Sequence, residues 1–157
     1  MVTEGLAIFN AISSYDRGYV TITIDTVAAS IATVIACAAD RVLMNSNAIY
    51  MIHRCWTAAA GNALDFRKTA DIMEMLDENI AEIYAEKTGL ETSPILDYMT
   101  DERWMSAEEA FESGFVDGVN DMKKKSKKKA EAGMSIFQAR ATLAGWQADI
   151  AKMSAKK

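Results

Sequence analysis

Apolar side chains recur at helical spacing near the start of the chain. Leu6, Ile8, Phe9 and Ile12 fall within residues 3–14, with Thr3 placed as an N-cap. Residues 19–25, YVTITID, switch to alternation and β-branched composition, which predicts a strand. After the connecting residues DTVAAS comes SIATVIACAA, small and almost wholly apolar, which predicts a buried helix over 30–38. RVLMN (41–45) and AIYMIHR (48–54) predict two short strands around the turn residues Asn45, Ser46 and Asn47. A long helix is predicted over 62–88, where Ile72, Met73, Leu76, Ile80, Ile83 and Tyr84 form one stripe and Gly89 stands at the C′ position. A shorter helix over 93–99 carries Pro94 in its first turn. Ser106 caps a further helix whose first turn holds Glu108 and Glu109, and FVDGV (115–119) closes the pattern as a strand or turn. Helices alternating with short strands predict an α/β fold with helices on a mostly parallel sheet.

Composition narrows the class. Half of the 157 residues are hydrophobic and only one is proline, which suits one domain with its own core and not a disordered or collagenous chain. No apolar run reaches the roughly 18–20 residues of a membrane-spanning helix. MVTEGLAIFN lacks the basic start and cleavage signal of a secretory leader, so the expected compartment is a reducing cytoplasm. Charge divides the chain. Residues 1–122 hold 7 Lys and Arg against 20 Asp and Glu, a net −13, whereas residues 123–157 hold 10 against 2, a net +8. A boundary is therefore expected near Met122, between one domain and a basic linker followed by an Ala-rich amphipathic helix over 134–153. The plain reading of KKKSKKK is a solvated charge run. The functional reading is contact with an acidic protein surface or nucleic acid, and no nucleic-acid motif accompanies the lysines.

Few groups offer chemistry. Cys37, Cys55 and the sole histidine, His53, make a nitrogen and sulfur metal site improbable and give no disulfide framework. Ser30 stands at the start of the apolar helix, where the dipole and free N–H groups favour negative charge, and the N–H of Ile31 points the same way. Position alone favours a capping role for Ser30 and a packing role for His53. A serine hydroxyl needs a base before it can attack, and His53 is the only imidazole present. A third group must orient that ring, and the many carboxylates leave the choice open. Cys55, two residues from His53, is read as a packing cysteine.

The motifs AAS (28–30), AD (39–40), MIHR (51–54) and RWMSAEEAFESGFVD (103–117) together resemble the proteolytic subunit of the Clp protease family, nearest its phage and prophage branch, which processes capsid proteins. The likeness runs over about residues 1–120. It implies repeated β-β-α units of the Clp protease and crotonase type, with Ser30 as nucleophile, His53 as base and then acid, and Ile31 N–H as an oxyanion donor. By alignment on RWMSAEEA the third triad member is Glu102, with Asp101 as its rival. Thr57 to Ala63, including Thr57, Ala58 and Gly61, would line a groove that holds an extended polypeptide. Met1 aligns just after the family's Gly-Gly loop, so the chain is expected to be N-terminally truncated, without the second oxyanion donor.

The resemblance thus implies an ATP-dependent-Clp-type serine endopeptidase, prophage-encoded and cytoplasmic. It would work as a subunit of a ring-forming homo-oligomer, with an unfoldase or capsid partner and no metal or cofactor. Its rivals are a catalytically impaired scaffold subunit in capsid assembly and an acyl-CoA-binding crotonase-type protein.

Overall fold

A computed structural model describes residues 2–121. The basic segment and the helix expected over 134–153 lie outside the described residues.

Among the described residues eleven elements follow one another: α1 (Val2–Ser13), β1 (Thr21–Ile24), β2 (Val27–Ala29), α2 (Ile31–Cys37), β3 (Arg41–Asn45), β4 (Ile49–Ile52), α3 (Ala63–Thr88), α4 (Thr92–Thr100), β5 (Arg103–Ser106), α5 (Ala107–Glu112) and β6 (Gly118–Asn120). Two β-β-α units, β1-β2-α2 and β3-β4-α3, are stacked in parallel, as expected from the resemblance. Their strands sort into two three-stranded sheets, with order β1-β3-β6 and β2-β4-β5. Three of the four pairings are parallel, and β5 runs antiparallel to β4. The α/β class and mostly parallel pairing hold, with the strands divided between two sheets.

Two strands were not among those expected. β2 (VAA) and β5 (RWMS) are too short for alternation to register, and partners across the sheet hold them. Ala29 pairs with Met51, and Ile52 pairs with Arg103. These two ladders set the site, because Ser30 follows β2 and His53 follows β4.

The helices are fixed locally. Asn62 and Asp65 form a reciprocal capping box at the start of α3, and Gly89, with φ 75°, closes it in the left-handed conformation that glycine takes without strain. Ser106 and Glu109 form a second capping box ahead of α5. Of the expected stripe on α3, Ile80 and Tyr84 are buried, Met73, Leu76 and Ile83 are half-buried and Ile72 is exposed, as are Leu64, Phe66 and Met75 outside it. Helix α1 packs against α2 through Gly5, where any Cβ would collide with the side chain of Ile31. A close approach of this kind admits only glycine.

The core joins Val42 and Met44 of β3, Tyr50 and Ile52 of β4, Tyr84 of α3 and Phe115. At its edge the Asp117 carboxylate accepts from the Val42 N–H at 2.6 Å and pairs with Lys87 Nζ at 2.7 Å. Burial pulls the Asp117 carboxyl upward, but the Lys87 ammonium and the Val42 N–H outweigh it and hold the group below its ordinary value of 3.8. A depressed native value stabilises the fold above the unfolded value, and this contribution is lost as pH falls through the native one. Between about pH 5 and pH 3, wild type is therefore expected to lose a few degrees more in Tm than Asp117→Asn, which has no charge to lose. Thermal melts across that range measure the difference.

Candidate functional site

Ser30 occupies a sharp strand-to-helix turn between β2 and α2 with φ 58° and ψ −131°. A non-glycine residue at positive φ costs on the order of 1–3 kcal/mol and persists only where its surroundings dictate it. Here the Ser30 N–H donates to Met51 O at 3.0 Å, tying the turn to β4, and the Thr33 hydroxyl donates to the Ser30 carbonyl. The Ser30 side chain does not cap α2. Its Oγ lies 2.8 Å from His53 Nε2. The capping role that position alone favoured is thus absent, and serine and imidazole meet across the β2–β4 ladder.

Thr33 is fully buried beneath the turn. With its proton given to the Ser30 carbonyl, it accepts from Tyr84 Oη at 2.6 Å, and Tyr50 Oη donates to the Thr33 carbonyl at 3.3 Å. Burial pushes the Tyr84 phenol well above its ordinary value, so it remains a donor.

Two acidic residues follow α4. Asp101 is its C-cap. Glu102 has φ 51°, and continuing the β4–β5 register one step beyond Ile52 and Arg103 sets it opposite His53. Its Oε1 accepts from Trp104 Nε1 at 3.2 Å. Among the described residues no hydrogen bond joins His53 to Glu102 or to Asp101. Ser30 and His53 are together, and Glu102 stands at the neighbouring register position with its carboxylate on the Trp104 indole.

A cavity of about 620 Å³ opens beside the pair. Its floor is apolar, from Ile31, Val34, Met73, Leu76 and Ile80, and Thr57 and Trp56 border it. Ala58 and Gly61 lie on the exposed segment beyond and do not line it. Ile31, first residue of α2, has an N–H without an intrahelical acceptor, directly after Ser30.

Cys55 borders the cavity too, but burial first, and then the Asp77 carboxylate, push its thiol up to about 12. It is a neutral thiol near pH 7, in keeping with a packing role. No group of three or more His, Cys, Asp or Glu residues able to hold a metal occurs among the described residues. No helix among them is long and apolar enough to cross a membrane.

Thr33, Tyr84, Trp104 and Asp77 join this region beyond the residues to which the sequence points. Asp77 alone had a local signal. It is a carboxylate three residues before Ile80 and seven before Tyr84, on the face of α3 that packs inward.

The chain is 28% identical over 122 residues to the ATP-dependent Clp protease proteolytic subunit 1 of Leifsonia xyli subsp. xyli, covering 76% of this chain and 61% of that protein. It is 28% identical over 120 residues to proteolytic subunit 2 of Tropheryma whipplei, covering 75% and 66%. It is 30% identical over 122 residues to the ATP-dependent Clp protease proteolytic subunit of Streptococcus agalactiae serotype V, covering 75% and 62%. The chain thus spans a little under two thirds of the length of these relatives. The Clp protease family model matches residues 1–123, and the chain belongs to that family.

Proposed function

We propose that this chain is a serine peptidase subunit in which Ser30 attacks the peptide carbonyl and His53 takes its proton. The observation that carries the reading is the 2.8 Å contact between Ser30 Oγ and His53 Nε2, made from a strained turn whose hydroxyl is left free of any capping duty. For attack, Nε2 accepts the hydroxyl proton, so the ring proton sits on Nδ1. The acyl-enzyme forms as the C–N bond breaks and His53 returns the proton to the leaving amine; water then repeats the cycle with the ester. The Ile31 N–H, which has no intrahelical acceptor and directly follows Ser30, donates to the oxyanion in this reading. Glu102 is the third member, supported by its register opposite His53. It has to turn from Trp104 Nε1 to reach the ring.

An extended polypeptide along Thr57 to Ala63, with an apolar side chain in the cavity, fits the lining. The exposed apolar residues Leu64, Phe66, Ile72 and Met75 of α3 suit contact with further copies, in keeping with a ring-forming homo-oligomer. Cys37 and Cys55 are free thiols, in keeping with a reducing cytoplasm. A prophage origin and a capsid partner are supported by the likeness of the AAS, AD, MIHR and RWMSAEEAFESGFVD motifs, and an unfoldase partner by membership of the Clp protease family.

A fluorophosphonate probe tests the reading. Wild type is expected to be labelled on Ser30, and Ser30→Ala to lose the label while keeping its far-ultraviolet circular dichroism. A wild-type chain that takes up no probe would overturn the proposal in favour of a scaffold role. Stoichiometric acyl-CoA binding would point instead to the crotonase-type alternative.

A further inference from the structure

We propose that Asp77, acting through Arg54 and the backbone of Cys55, is a positioning residue for the Ser30–His53 pair. The inference rests on the serine peptidase reading and extends it to a residue outside the triad.

Asp77 is 4% exposed, the one buried charged residue among those described. A carboxylate taken out of water is costly unless its oxygens are fully engaged. Both are. Oδ1 accepts from the Cys55 N–H at 2.7 Å, and Oδ2 accepts from Arg54 Nη1 at 3.2 Å. The two donors belong to the two residues that follow His53.

Arg54 extends the grip. Its Nε donates to Thr100 Oγ1 at 2.7 Å, and its backbone N–H donates to Met99 O at 3.1 Å. Thr100 and Met99 end α4, one and two residues before Asp101 and the Glu102 turn. β4 stops at Ile52, and no regular structure follows until α3. His53 is therefore held between the last rung of the β4–β5 ladder and this clamp. Without Asp77, the segment after His53 keeps the hydrogen bonds of Arg54 to Met99 O and Thr100 Oγ1, and the Cys55 backbone loses its anchor to α3.

The same helix braces the other partner. Tyr84, two turns beyond Asp77 on the inward face of α3, holds Thr33, which in turn holds the Ser30 carbonyl. α3 thus carries one polar group under the serine and another behind the histidine. The separation of the two reacting atoms is set from one rigid element, which is what orientation at a reacting centre requires.

The test uses the full 157-residue chain with a fluorophosphonate probe and a fluorogenic peptide carrying an apolar residue at the scissile bond. Asp77→Ala is expected to lower kcat and the limiting labelling rate about 10- to 100-fold with KM changed less than about threefold. Asp77→Asn keeps an acceptor for the Cys55 N–H but gives up the charge facing Arg54, and is expected to recover part of that loss. Asp117→Asn removes an ion pair on the same fold away from the site and is expected to keep wild-type kcat. The proposal is overturned if Asp77→Ala and Asp77→Asn, both folded, label at the wild-type rate, or if Asp117→Asn loses kcat as severely. If Asp77→Ala does not fold, Asp77→Asn and Arg54→Lys decide by the same readouts. A wild type that takes up no probe refutes the peptidase reading, an outcome separate from wild-type labelling by the variants.

Discussion

Replacing His53 with alanine is expected to lower peptide hydrolysis by about 10⁴- to 10⁶-fold while the fold persists. A serine hydroxyl is a poor nucleophile at neutral pH, and its activation depends on a base within hydrogen-bond reach. His53 Nε2 stands 2.8 Å from Ser30 Oγ, and the chain has no second histidine to substitute. The two thiols offer no replacement, because burial pushes both Cys37 and Cys55 up to about 12. His53 itself is only half-buried at the edge of the cavity, so its removal costs little packing. Hydrolysis of a fluorogenic peptide and the rate of fluorophosphonate labelling measure the loss, with a thermal melt as the check on folding. Labelling of His53→Ala at the wild-type rate would remove His53 as the base.

The order of elements was legible wherever a local signal extended over several turns. α1 and α3 follow from apolar spacing, and the C-terminal end of α3 follows from Gly89, while the Asn62–Asp65 capping box that fixes its start emerges in the structure. β2 and β5 were not legible, since three or four residues cannot display a period and tertiary pairing overrides weak propensity. The outward half of α3 shows the limit of periodicity. Ile72 belongs to the apolar stripe, yet among the described residues it is left exposed.

The site divides in the same way. Ser30 and His53 could be named as types suited to nucleophile and base, and the family motifs paired them. Their contact arises from the Ala29–Met51 register, which no window of sequence contains. Glu102 accepts from the Trp104 indole and has a positive φ, neither of which composition announces. Arg54 and Asp77 are 23 residues apart and meet only because α3 returns beneath the end of β4.

Phe115→Ala is expected to be the most destabilising single change in the core, by about 3–5 kcal/mol. That is a large share of the roughly 5–15 kcal/mol that holds a typical domain together. Phe115 is fully buried after the left-handed turn at Gly114, and its ring packs 5.4 Å from Tyr50 and 5.7 Å edge-on from Tyr84. Truncation removes the apolar transfer term and both ring contacts, and it leaves a void that close-packed neighbours fill only in part. A fall in Tm of roughly 10–20 °C follows for a domain of this size. Phe115→Leu, which retains most of the volume, should restore more than half of it; a melt of Phe115→Ala within about 2 °C of wild type would show that the ring is not part of the core. The consequence reaches the site, because one wall of the void is Tyr84. A phenol free to tilt into that space lengthens its bond to Thr33, and Thr33 is what fixes the carbonyl of the strained Ser30 turn. Below its melting transition, Phe115→Ala should therefore label with fluorophosphonate more slowly than Phe115→Leu, so that a residue with no contact to Ser30 or His53 acts on both stability and nucleophile geometry through one ring.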